Sequence, residues 1–131
     1  MSSKKQKVNI LPTIPYNELK LSESAYHRNG RQWKATTLIQ HCKEKEYPIF
    51  DMPLAGIDLS YKPFQLESLD DFIYQIKRVE KTDLKYPIII DDNGVVADGY
   101  HRIAKALLEG RTSIKAIRML EMPCDDGVYE D

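Results

Sequence analysis

The sequence predicts a small α+β fold, an α/β arrangement in which a mixed sheet carries packed helices. Three observations predict it. An Asn-Gly pair, Asn93-Gly94, separates two short apolar runs, Pro87 to Ile90 and Val95 to Ala97, which is a strong hairpin signal. The stretch from Ile103 to Glu109 is helical by composition and spacing, and Gly110 stands where a helix ends on a left-handed residue. Upstream, Leu69, Phe72, Ile73, Ile76 and Val79 recur at helical spacing.

At 131 residues the chain is one globular domain with room for a modest core. Its organisation reads as an N-terminal extension with one helix (1–50), a core (51–120) and an acidic tail (121–131). The net charge of −1 sets up no field that favours nucleic acid or membrane. No apolar run approaches the roughly 18 residues of a membrane helix. Cys42 and Cys124 lack metal-like spacing, so a reducing, cytoplasmic setting is expected.

Taken in order, residues 1–7 are polar and basic, 8–16 extended between prolines, and 17–24 a short helix. Tyr26 to Lys34 is basic and aromatic, and fits either a solvated loop or a ligand or nucleic-acid contact. Trp33 to Lys45 reads as a helix stopped by Pro48. Ile49 to Leu59 reads as one or two short strands. Ser68 is a good N-cap for the amphipathic helix, with Asp70 and Asp71 in its first turn. A last strand is expected within Thr112 to Met119. Beyond it an acidic, solvated tail is expected, with Val128 and Tyr129 as docking residues.

Function turns on the corner Asp98-Gly99-Tyr100-His101-Arg102. Asp98 is a plausible N-cap for the helix that follows, and Gly99 leaves room for a ligand to approach the backbone. Free N–H groups and the helix dipole favour an anion at such a start. Arg102 offers a two-pronged hydrogen bond to phosphate, and His101 a proton donor or relay. The same residues also fit a capped helix packed on a hairpin, with His101 and Arg102 making structural hydrogen bonds.

This stretch resembles the ParB/sulfiredoxin superfamily, whose members share an α/β nucleotide-binding domain with a G-x-x-R turn running into a helix. The match is Gly99-Tyr100-His101-Arg102, preceded by the Pro87-Ile88-Ile89-Ile90 strand and followed by Arg102-Ile103-Ala104-Lys105-Ala106-Leu107-Leu108-Glu109-Gly110. More loosely, Ile57-Asp58-Leu59 resembles the family's first strand, and Ser68 to Glu80 its first helix. The resemblance implies a nucleoside triphosphate with Mg²⁺ as ligand, held by Gly99, Tyr100, His101, Arg102 and Ser68, with Lys62 and Gln65 more loosely placed. Asp98 would hold the metal, Asp91 and Asp92 being better read as turn residues. His101 and Asp98 are the implied catalytic pair for NTP hydrolysis or phosphoryl transfer. Tyr100 replaces the cysteine that sulfinic-acid reduction needs. Because the sequence ends soon after the core, a full partition protein is not expected. A kinase-like activity would need an upstream base, for which Asp51, Asp58 and Glu67 are candidates. Two alternatives remain open. One is a DNA-associated module, nuclease or partition-related, with Arg28, Arg31, Lys34 and Lys105 as its basic face. The other is a non-catalytic interaction protein on the same fold.

Overall fold

The computed structural model describes residues 25–60, 63–64 and 66–128. The expectations for 1–24 lie outside the described residues, as do Lys62, Gln65 and Tyr129.

Two strands, β1 (Ala25–Arg28) and β2 (Arg31–Lys34), form a hairpin on an Asn29-Gly30 turn in which both residues have positive φ. The Tyr26 to Lys34 cluster is therefore a hairpin, which corrects the loop expectation. Trp33 belongs to β2, and helix α1 (Ala35–Lys45) begins only after it. Next come β3 (Phe50–Pro53) and a single 3₁₀ turn, Leu54–Gly56. Ile57 to Leu59 forms no strand, so the strand expected there lies several residues earlier. Helix α2 (Leu69–Lys81) starts where Ser68 predicts. Then follow β4 (Ile88–Ile90), β5 (Val96–Asp98), α3 (Tyr100–Leu108) and β6 (Ser113–Arg118).

The four-stranded sheet has the order β3-β6-β4-β5. Strand β6 is parallel to β4, and the β3–β6 and β4–β5 pairs are antiparallel. Pro53 is tolerated because β3 is an edge strand, where its missing N–H breaks no ladder. Mixed pairing with helices on both faces is the α+β class that the sequence predicts.

The period-2 alternation of the central strands divides the core in two. Ile88, Ile90, Ile114 and Ala116 face Ile103 and Ala106 of α3, with α2 packed on α3. Ile89, Ile117 and Met119 face the other way, onto Trp33 of the hairpin and Leu38 and Cys42 of α1. Each isoleucine so buried contributes about 1.5–3 kcal/mol. The segment 25–45 is thus one wall of the core.

The acidic stretch after Met119 runs along β2. Gln32 N–H donates to Gly127 O at 3.1 Å, Asp126 N–H to Gln32 O at 2.8 Å, and Trp33 Nε1 to Pro123 O at 2.8 Å. Val128 bridges to Arg31. This corrects the expectation of a solvated tail as far as Val128. Helix α2 departs from its pattern in another way. Its apolar residues Leu69, Phe72 and Ile76 remain exposed, and Tyr74 is the side chain it buries. No helix among the described residues is long and apolar enough to cross a membrane.

Candidate functional site

The corner after β5 folds differently from its expected cap. The residue at the helix start is Gly99, at φ +117°, and no side chain caps α3. Asp98 is the last residue of β5, and its carboxylate meets Arg102 one turn into the helix, at 3.1 Å. The N-cap role expected of Asp98 is corrected: the carboxylate reaches past the open helix end to the guanidinium. Gly99 does permit a close approach, but by the protein itself. A Cβ there would lie 2.5 Å from Ile88 Cγ2 and 2.8 Å from Ile88 Cβ.

The remaining members of the corner diverge. Tyr100 packs against the α3-side core, and its hydroxyl donates to Val96 O at 3.3 Å. His101 turns toward α2, where Nε2 is 2.6 Å from Gln75 Oε1 and the ring stacks on Phe64 at 4.6 Å between centroids. Burial, with Arg78 and Arg102 nearby, pushes the His101 pKa down to about 4. At neutral pH it is an uncharged imidazole engaged with α2. Ser68 accepts from Asp71 N–H at 3.1 Å, which fulfils its N-cap role on α2.

Asp98 and Arg102 instead line a groove of about 470 Å³ between α1 and the β4–α3 side of the sheet. Its floor is buried and apolar, made by Cys42, Ile89 and Ile117. Ile39, Ile49 and Tyr86 stand exposed at its rim, beside Tyr47 and Pro87. Four charged residues line it: Arg102 and Lys43, Asp98 and Glu46. Burial pushes the Cys42 thiol up to about 11, so the floor is uncharged at neutral pH.

Arg102 is the most telling of these. Its Nη2 donates to Pro87 O at 3.2 Å and to Asp98 at 3.1 Å. Its Nε is buried and, among the described residues, has no hydrogen-bond partner. A buried N–H left unpaired costs about 1–3 kcal/mol, while the Arg102 side chain as a whole keeps 17% of its surface exposed. A partly exposed guanidinium in the lining of an apolar groove can bind an anionic group that brings an apolar body with it.

Sequence reasoning singled out Asp98 and Arg102 but missed the α1 wall. Ile39, exposed beside the buried Leu38, was the available signal. Asp98, the implied Mg²⁺ ligand, is paired with Arg102, and no three His, Cys, Asp or Glu residues gather among the described residues. Asp91 is fully buried and anchors the hairpin. It accepts from Tyr26 Oη, from Arg28 Nη1 at 3.2 Å, and from the N–H groups of Asn93 and Val95, both at 2.8 Å. Burial would raise its carboxyl pKa, but these donors outweigh burial and hold it below the usual range. Asp92 accepts from the same Arg28 Nη1 at 2.7 Å.

The four candidate basic residues stand beside carboxylates or carbonyls. Arg28 is neutralised by Asp91 and Asp92, Arg31 lies 3.8 Å from Asp125, and Lys34 stands beside Asp126. Lys105, on the opposite side of the sheet, donates to the carbonyls of Glu80 and Thr82 at 3.1 and 2.7 Å. Of the candidate bases, Asp58 binds the N–H and hydroxyl of Ser60, and Asp51 sits in β3 opposite Lys115. The carboxylates at the groove are Asp98 and Glu46.

Fold and groove together define a small α+β domain with a mostly apolar groove that Asp98 and Arg102 help to line. Comparison with protein-family models, curated proteins and solved structures finds no match for this chain.

Proposed function

We propose that this chain is a nucleotide-binding domain that holds its ligand in the groove, base against the apolar wall and phosphate on Arg102. The observation that carries this reading is the partly exposed guanidinium of Arg102, paired with Asp98, in the lining of an apolar groove. The volume falls within the roughly 300–1,000 Å³ usual for small-molecule sites. Resemblance of the Gly99 to Arg102 turn to ParB/sulfiredoxin proteins supports a nucleotide as the ligand.

The role is binding rather than phosphoryl transfer. Transfer would need a group placed to stabilise charge on the phosphate, and His101 instead faces Gln75 and Phe64 in its neutral form. Any Mg²⁺ would arrive on the phosphates of the nucleotide.

Calorimetric titration of ATP, ADP, CTP and GTP, with and without Mg²⁺, tests the reading. Binding is expected in the wild type, and Arg102→Ala is expected to abolish it. Arg102→Lys keeps the charge but loses the fork, and is expected to weaken binding about tenfold. Circular dichroism establishes that each variant is folded. Binding that survives in folded Arg102→Ala would move the site elsewhere.

One observation favours a second reading, a non-catalytic interaction protein. Ile39, Ile49 and Tyr86 present an apolar rim that a peptide side chain could also fill. Absence of binding to every nucleotide would shift the conclusion to that role.

A further inference from the structure

We infer that the ligand of this groove carries a single phosphate group, so that nucleoside monophosphates or cyclic nucleotides suit it better than their di- and triphosphates. The inference rests on the nucleotide site proposed above and narrows its ligand class.

The argument is one of charge and donor supply. Two cations, Arg102 and Lys43, and two carboxylates, Asp98 and Glu46, line the groove, so its lining is neutral in sum. Arg102 is already committed through Nη2 to Asp98 and to Pro87 O, and its Nε is buried, which leaves only the exposed part of the guanidinium for a ligand. One guanidinium edge matches the oxygens of one phosphate. A second and third phosphoryl group would have to lie beside Asp98 or Glu46, or over Ile39, Ile89 and Ile117. The carboxylates repel such groups, and the isoleucines desolvate them without offering donors. No cluster of metal ligands among the described residues offsets the added charge. A single phosphate, with a charge of about −1 to −2 at neutral pH, meets the arginine and leaves the apolar part of the ligand on the floor.

The test compares, by calorimetry on the full chain at fixed ionic strength, the four nucleoside monophosphates, 3′,5′-cyclic AMP and cyclic GMP with the corresponding triphosphates. Each titration is run with and without Mg²⁺. At least one single-phosphate ligand is expected to bind about tenfold more tightly than its triphosphate, and cyclic against open forms tells whether a diester or a monoester is preferred. Asp98→Asn, which removes one of the two repelling carboxylates, is expected to narrow that gap. A triphosphate that binds as tightly or more tightly, in an Arg102-dependent way, overturns this inference and leaves the nucleotide site standing. No binding by any of these ligands overturns both.

Discussion

At Gly99 the left-handed backbone and the contact with Ile88 act on the same atom. Alanine there would need φ +117° and would drive a Cβ into the buried Ile88 side chain. We expect Gly99→Ala to lower stability by about 2–4 kcal/mol, read from urea unfolding, since strain and overpacking add. His101 makes a separate expectation about pH. Its folded pKa of about 4 lies below its ordinary 6.5, so the unfolded chain binds the proton more readily. Stability from this residue is complete above pH 6.5 and is lost as pH falls from 6.5 toward 4. The loss is about 1–2 kcal/mol, because the ring keeps partial contact with water. In His101→Gln that part of the pH profile should flatten, whereas an unchanged slope would assign the loss to other groups. Cys42 and Cys124 should differ in thiol chemistry. Cys124 is exposed, while Cys42 is buried with its pKa raised to about 11. One thiol per chain is expected to react rapidly with a thiol reagent and the other slowly.

Among the elements, the β1–β2 hairpin depends on a buried carboxylate. Asp91 pins Tyr26 and Arg28 while its other oxygen closes the turn through Asn93 and Val95. Burial, then the bond to Asp91, raises the Tyr26 pKa, so the phenol remains a donor throughout the accessible pH range. Removing the carboxylate leaves the Tyr26 hydroxyl and two N–H groups without their acceptor, while Arg28 keeps only Asp92. Asp91→Ala should therefore cost about 3 kcal/mol, and amides of 25–34 should exchange faster with solvent. A hairpin that keeps its protection in this variant would show that Trp33 alone anchors it. The contrast between the two Asn-Gly turns is instructive about sequence reading. Asn93-Gly94 is legible because apolar runs flank it. Asn29-Gly30 carries the same signal between His27, Arg28, Arg31 and Gln32, whose polarity hides the strands. Trp33 looks like the first residue of a helix because it falls in register with Thr37, yet it lies within strand β2. In α2 the periodicity fixes the helix but not its buried face, since Leu69, Phe72 and Ile76 stay exposed.

Across the whole molecule, the α+β class and most of the central sheet are legible because alternation and turn chemistry are local. The candidate site is legible only by half. Asp98 and Arg102 stand out through the turn that holds them, but their grouping with Gly99, Tyr100 and His101 into one ligand mouth fails. Successive residues of a helix point in different directions, and α2 captures the imidazole. The opposite wall comes from α1, which local pattern does not connect to this corner. The central claim is that an anionic ligand meets the guanidinium of Arg102 over the isoleucine floor. Nuclear magnetic resonance of ¹⁵N- and methyl-labelled protein during titration with AMP and cyclic AMP tests it most directly. The Arg102 Nε–H signal and the methyl signals of Ile39, Ile89 and Ile117 are expected to shift together and saturate at one site. Shifts confined to His101, Gln75 and Phe64, or no saturable shift at Arg102, would contradict the account.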